Sequence, residues 1–134
     1  MMNLTKINSI FAVLAVMVLS FAASASDSEC TLKFNMADRL NPHEVFIGNQ
    51  FQKKFPAAKK ALKLISQLQE DGYCQLAIGQ LPACKIDFRP ADGYNAKILS
   101  FYAVYSGETL VETIRNKSEA NEIVNLLKDV RFCR

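Results

Sequence analysis

The chain has 134 residues, half of them hydrophobic, with 16 basic side chains, 13 acidic side chains and one histidine. A formal net charge of +3 is too small to indicate nucleic-acid binding by itself. The sequence contains neither a glycine-rich phosphate loop nor a catalytic histidine motif, so we expect no cofactor.

Residues 1–25 have the pattern of a secretory signal peptide. Lys6 gives a positive start, an apolar run follows, and Ala23 and Ala25 are small residues where signal peptidase cleaves. The apolar run is shorter than the ~20 residues that a membrane span needs. We therefore predict an exported, periplasmic or extracellular protein. Its single mature domain covers residues 26–134 and has no integral membrane span.

All four cysteines lie in the mature segment. An even number in a small exported domain predicts two structural disulfides. No pair has the Cys-x-x-Cys spacing of redox or zinc sites, and we expect no metal. The spacing favours Cys74–Cys84 with Cys30–Cys133, since the first pair is local and the second joins the ends of the mature chain. The pairing Cys30–Cys74 with Cys84–Cys133 is the close alternative.

The first half of the mature chain predicts one strand followed by helical segments. Residues 31–36 alternate apolar and polar side chains, as a half-buried strand does. Residues 41–44 (Asn-Pro-His-Glu) are typical of a helix start, and the alternative is a turn at Gly48-Asn49 with a later helix start. A clear amphipathic helix runs from Pro56 to Gly72. Its apolar stripe comprises Ala58, Ala61, Leu62, Ile65 and Leu68.

The second half predicts four strands and a helix, with no long repeat. Short apolar strands cover 73–79 and 83–88, and a hairpin covers 97–116 with its turn at Ser106-Gly107. A last helix is capped by Asn116 or Ser118. The apolar stripe of this helix comprises Ala120, Ile123, Val124, Leu127 and Val130.

Pairing Tyr105 with Glu108 gives the hairpin two faces, and a one-residue slip would exchange them. The face predicted to cover the helices comprises Leu99, Phe101, Ala103, Leu110 and Ile114. The opposite face, centred on a tyrosine, is a candidate partner surface, because tyrosine combines apolar area with a hydroxyl. That surface comprises Ile98, Tyr102, Val104 and Val111.

The order of elements predicts an α+β fold. We expect a small two-layer domain with a mainly antiparallel sheet of four or five strands. Two or three helices pack on one face of this sheet, and two disulfides stabilise the domain.

The sequence suggests no catalytic residues. His43 is expected as the second residue of a helix, facing solvent. Glu108 and Glu112 lie four strand residues apart, ~13 Å, which is too far for paired acid and base catalysis. The lysines near the first helix are expected on its wet face; they are Lys53, Lys54, Lys59, Lys60 and Lys63.

These observations predict an exported binding or accessory protein stabilised by disulfides, with an inhibitor as one form of that function. Its expected partner is a protein or an extracellular polymer, not nucleic acid. The alternative is a small exported hydrolase that uses acidic residues. A pocket with two converging acids favours the hydrolase, whereas an open face rich in tyrosine favours binding.

Overall fold

A computed structural model describes residues 28–90 and 100–134. The predicted signal peptide lies outside these residues. The elements of the described chain are β1 (Cys30–Phe34), β2 (His43–Ile47), β3 (Gln50–Phe55), α1 (Ala58–Glu70), β4 (Cys84–Arg89), β5 (Phe101–Ser106), β6 (Thr109–Ile114) and α2 (Lys117–Asp129).

The strands form two antiparallel sheets of three, ordered β1-β2-β3 and β4-β5-β6. Helix α1 packs on the first sheet, α2 packs on the second, and the helices contact each other. Strand β1 lies beside β6 where the sheets meet. The structure fits the predicted small α+β class, but the prediction of one sheet with four or five strands is wrong.

The segment 41–55 accounts for this difference, because it forms the β2–β3 hairpin rather than a helix. The β-branched and aromatic residues after Glu44 favour a strand. His43 and Val45 are buried while the residues between and after them are less so, a period of two. Gly48 begins the turn with φ of 57°, which glycine adopts without steric cost. The turn of the alternative prediction is confirmed, but strand β3 rather than a helix follows it directly.

Helix α1 is confirmed, and its apolar stripe faces the core. It ends where Gly72 adopts φ of 81° and Tyr73 N–H donates to Leu68 O at 2.9 Å. The predicted strand 73–79 is wrong. The residues after the helix form an irregular linker. They pair with another strand only at Gln75, which forms an isolated bridge with Glu29, and one bridge does not make a strand.

The predicted hairpin exists, but its register is wrong. Tyr105 pairs with Leu110, so the turn is Gly107-Glu108 rather than Ser106-Gly107. A bulge between Val104 and Tyr105 shifts the register by one more residue. The predicted faces are therefore not preserved. Val104 is fully buried in the core beneath the helices.

The described strands and helices form two tandem repeats of one β-β-β-α unit, contrary to the prediction of no long repeat. We call residues 30–74 the first repeat and residues 84–133 the second. Helices α1 and α2 each have 13 residues and begin 59 positions apart. The bulges, after Val45 and after Val104, are also 59 positions apart. From the second strand of each unit onward (residues 43–74 and 102–133), the residues identical at this spacing are Val45/Val104, Gly48/Gly107, Ala61/Ala120, Leu68/Leu127 and Cys74/Cys133.

Backbone hydrogen bonds repeat in the same way. Phe132 N–H donates to Leu127 O at the end of α2, as Tyr73 donates to Leu68 at the end of α1. Arg131 even keeps the left-handed conformation of Gly72, with φ of 60°. The repeats therefore share detailed backbone geometry, not only an element order.

Each repeat contains one disulfide. Cys30, at the start of β1, bonds to Cys74 beyond α1, and Cys84, at the start of β4, bonds to Cys133 beyond α2. The two predicted disulfides are confirmed, but the favoured pairing is wrong and the close alternative is right. Local spacing misled the prediction, because each bond instead links the first strand of a repeat to the chain beyond its helix.

Candidate functional site

A groove of about 390 Å³ lies where the repeats meet, which is within the range of ligand pockets. Strand β1 forms one wall, β6 forms the other, and the linker between the repeats runs along it. Its apolar lining includes Leu32, Phe34, Ile78, Leu81, Leu110, Val111 and Phe132.

Hydrogen bonds of the second repeat to the linker and to the first repeat hold the groove together. Arg131 Nε donates to the carbonyl oxygen of Ala77 in the linker at 3.1 Å. Gln69 of α1 reaches the end of α2, where its Nε2 donates to Val130 O at 3.1 Å. The groove is thus fixed on both repeats and does not belong to either one alone.

The linker also carries exposed apolar side chains. Ile78 lines the groove with 87% of its surface exposed, and Leu76 two residues before it is 46% exposed. Exposed apolar groups beside a groove are typical of interaction sites. Among the lining residues, the charged side chains are Glu29 and Arg131.

His43 lies behind this region, and the prediction that it faces solvent from a helix is wrong. It belongs to β2 and is only 1% exposed. Its Nε2 lies 3.4 Å from Oε1 of Glu112 in the other repeat. The ring of Phe34 contacts the imidazole edge-on at 5.0 Å between centroids. Nδ1 is buried and has no hydrogen-bond partner within the described residues.

This His–Glu pair has a structural rather than a catalytic geometry. A general base must reach the proton that it removes, and His43 is closed off from solvent. Glu112 Oε1 also accepts the backbone N–H of Ala58, 3.4 Å away, at the start of α1. The pair therefore ties β2, β6 and the first turn of α1 together across the repeat boundary.

The described residues of the candidate partner surface predicted from the hairpin lie in the core or against it. Val104 and Val111 are buried in the core, and Tyr102 is half-buried against it. The ring of Tyr102 contacts Phe88 at 5.0 Å. Ile98 lies outside the described residues. The prediction that Val104 and Val111 lie on an exposed face is wrong, because the face of β5 that carries Tyr102 and Val104 is the one that packs against the core.

Two of the lysines near α1 are in ion pairs. Lys54 Nζ lies 2.9 Å from Asp38 Oδ2, and Lys59 Nζ lies 2.7 Å from Glu122 Oε2. The second pair joins the two helices. The hydrogen bond and charge of Lys59 lower the pKa of Glu122, and Glu122 raises the pKa of Lys59.

Within residues 28–90 and 100–134, no group of three or more histidine, cysteine or acidic side chains has the arrangement of a metal site. In the same residues, no helix combines the length and the apolar character that crossing a bilayer requires.

Sequence reasoning missed both the groove and the Glu112 contact, because both arise from the junction of two repeats. One available signal was the match between Cys-x-Leu-x-Phe at 30–34 and Cys-x-Ile-x-Phe at 84–88. This match marks the first strand of each repeat and so indicates where each repeat begins.

By its fold, this is a protein of two tandem β-β-β-α repeats, each closed by one disulfide, with a groove between them. Searches against protein-family models, curated proteins and solved structures found no match.

Proposed function

We propose that this is an exported binding protein that takes an apolar segment of a protein partner into the groove between its repeats. The observation that carries the proposal is the groove itself, which both repeats build and which Ile78 extends to the surface. Its volume suits one or two apolar side chains of a partner.

The cysteines support export. All four are paired, which is typical of proteins that fold in an oxidising compartment. The pattern of residues 1–25 independently predicts a secretory signal. Together they support a function in the periplasm or outside the cell, where the disulfides would keep each repeat closed.

The chemistry of the groove favours binding over hydrolysis. Glycosidase-type catalysis needs two carboxyl groups ~5–10 Å apart. Glu29 is the one acidic residue among those that line the groove. A lining of apolar side chains together with polar groups resembles that of recognition sites.

The test compares capture by the wild type with capture by two exposed-residue variants. Ile78→Asp puts a charge at the groove, whereas Leu40→Asp does the same at a site that is 80% exposed and does not line it. The wild type and both variants are immobilised in their mature form, and native extract is passed over them under oxidising conditions. Captured proteins are identified by mass spectrometry.

A protein retained by the wild type and by Leu40→Asp, but lost with Ile78→Asp, would support the groove as the binding site. Equal retention by all three would contradict it. Circular dichroism would check that each variant is folded.

A further inference from the structure

The linker between the repeats, residues 75–83, is fixed at both ends by the disulfides. Cys74 precedes the linker and bonds to Cys30 in the first repeat. Cys84 follows the linker and bonds to Cys133 in the second repeat. Because each disulfide joins one end of the linker to the body of a repeat, neither end can move away from the folded protein.

Hydrogen bonds also hold the backbone of the linker between these ends. Gln75 N–H donates to Ser28 O at 2.8 Å, and the same residue forms the bridge with Glu29. From the second repeat, Arg131 Nε donates to Ala77 O at 3.1 Å. The linker is therefore irregular in secondary structure but held at defined points along its length.

The first side chains of the linker alternate between the protein and solvent, as those of an extended strand do. Gln75 and Ala77 are half-buried. Leu76 and Ile78 are exposed, and Ile78, at 87%, is the most exposed large hydrophobic residue of the described chain. Gly79 follows with φ of 96°, a conformation that ends the extended stretch directly after Ile78.

Arg131 identifies the support of this segment as a feature that the fold maintains at a cost. Its φ of 60° lies in the left-handed region, which strains a residue with a side chain. The equivalent residue of the first repeat is Gly72, which adopts this conformation without strain. Strained residues are concentrated at functional sites. What the arginine adds here is the hydrogen bond to Ala77 O, one residue before Ile78.

We propose that the linker is the inhibitory loop of a peptidase inhibitor, and that its partner is a serine peptidase with an apolar specificity pocket. Such a peptidase places the side chain before the cleaved bond in that pocket. Ile78 enters the pocket, Leu76 contacts the surface beside it, and the bond presented for cleavage joins Ile78 to Gly79. The inference goes beyond the groove, since here a side chain of this protein enters its partner.

The fixed ends of the linker favour inhibition over digestion. Attack of the serine oxygen on the carbonyl carbon of Ile78 breaks the bond to the nitrogen of Gly79, which takes the proton of the serine as it leaves. From a free peptide this amine diffuses away. Here the disulfides retain both ends, so the amine attacks the acyl carbon again, reforms the peptide bond and returns the proton to the serine. A loop already held in its bound shape also loses less conformational freedom on binding.

The first test measures inhibition of elastase and of subtilisin, serine peptidases of unrelated folds that accept aliphatic side chains. The intact mature protein should inhibit at least one of them in competition with a small chromogenic substrate. Ile78→Asp should weaken inhibition by about a hundredfold or more, because a carboxylate would enter the apolar pocket. Leu40→Asp, at a position that is 80% exposed and lies outside the linker, should leave it unchanged.

A lysine at the tip of the loop gives a sharper test. Ile78→Lys should lose inhibition of the first peptidase and gain inhibition of trypsin, whose specificity pocket carries an acidic residue. A side chain with a purely structural role could not transfer recognition in this way. Because a gained activity requires a folded protein, this result does not depend on how far the substitution changes stability.

Arg131 is a positioning residue in this proposal. Arg131→Gly removes the hydrogen bond to Ala77 O and also relieves the strained φ. It should weaken inhibition by about tenfold and speed cleavage between Ile78 and Gly79, which mass spectrometry of the incubated mixture follows. A residue that only supported the fold would change the melting temperature and not the rate of this cleavage.

The proposal is overturned if the wild type inhibits neither elastase nor subtilisin, if Ile78→Asp inhibits as well as the wild type, or if Ile78→Lys does not inhibit trypsin. Leu76→Asp separates it from the groove proposal, because Leu76 is exposed and does not line the groove. This variant should weaken inhibition. A captured protein that is lost with Ile78→Asp but retained by Leu76→Asp is a groove partner, so the two proposals can fail separately.

Discussion

His43 and Glu112 meet across the repeat boundary, with Nε2 of the histidine 3.4 Å from Oε1 of the carboxylate. The same oxygen accepts the N–H of Ala58 at the start of α1. Ala57, at the N-cap of that helix, has no side chain to cap it. Glu112 therefore supplies, from the second repeat, a cap that α1 lacks, whereas Asn116 caps α2 within its own repeat.

Replacing Glu112 with alanine should destabilise the protein by about 1–3 kcal/mol, since it removes a cap and a contact to a buried histidine. Ala57→Asn copies Asn116, its equivalent in the second repeat. In the Glu112→Ala background it should recover about 1 kcal/mol.

Urea unfolding of the two single variants and the double variant measures this coupling. The side chain of Ala57→Asn would accept the N–H of Lys59, as Asn116 accepts that of Ser118, whereas Glu112 accepts that of Ala58. The two effects should therefore be nearly additive. A loss in Glu112→Ala no larger than that in Glu108→Ala, at an exposed glutamate of the same hairpin, would contradict the cap.

Each repeat should contain its own disulfide, with no bond between the repeats. Digestion of unreduced protein should yield Cys30 linked to Cys74 and Cys84 linked to Cys133, with no thiol labelled in denaturant. Serine at both positions of one pair should cost about 2–4 kcal/mol in the chain-entropy account. Recovery of peptides linking Cys74 to Cys84 would contradict the fold.

Processing should remove residues 1–25 and leave Ser26 at the amino terminus, or a residue within one or two positions of it. The intact mass of exported protein measures this directly. A membrane-retained product of full length would instead indicate an uncleaved anchor.

The helices were predictable because each buries a stripe of residues at helical spacing against one neighbour. Strand β3 was not, since five of its six residues are exposed and show no alternation. Its lysines and glutamines are typical of a solvent-exposed segment, whether helix, strand or loop. Its pairing with β2 defines it as a strand, and this pairing cannot be read from the local sequence of β3.

The repeat was hidden by a change in period. First-strand equivalents such as Cys30 and Cys84 lie 54 positions apart, whereas helix equivalents lie 59 apart. Unequal connections between the first two strands of each unit cause this shift. Because the groove and the His43 contact lie between repeats, neither could be inferred until both units were recognised.

Asp38 should titrate below its ordinary pKa of 3.8. The N–H of Asn41 donates to it at 3.0 Å, Lys54 donates at 2.9 Å, and both favour the carboxylate and lower its pKa. Because the folded pKa is the lower one, its stabilisation is present above about pH 3.8 and is lost as pH falls through the lowered pKa.

Carbon-detected NMR titration of the Asp38 carboxyl group measures this. Lys54→Gln should raise the pKa only part of the way to its ordinary value, because the contact with Asn41 makes the largest contribution. Glu122, whose pKa is lowered by Lys59, is the internal reference and should be unaffected. If the pKa of Asp38 were the same in Lys54→Gln as in the wild type, the ion pair between Asp38 and Lys54 would be contradicted.

Gly48 and Gly107 occupy equivalent turns, yet alanine should be tolerated less well at Gly107. Both have positive φ, 57° and 62°, so alanine strains either turn by about 1–2 kcal/mol. A Cβ at Gly48 would lie an ordinary 3.5 Å from Ser28 Oγ, but at Gly107 it would lie 2.9 Å from Pro82 Cβ. Pro82 is held by its backbone bond to Arg134, so the turn must move, which adds about 1–3 kcal/mol. Urea unfolding of both variants should give the larger loss for Gly107→Ala, and equal losses would show that the linker at Pro82 yields without cost.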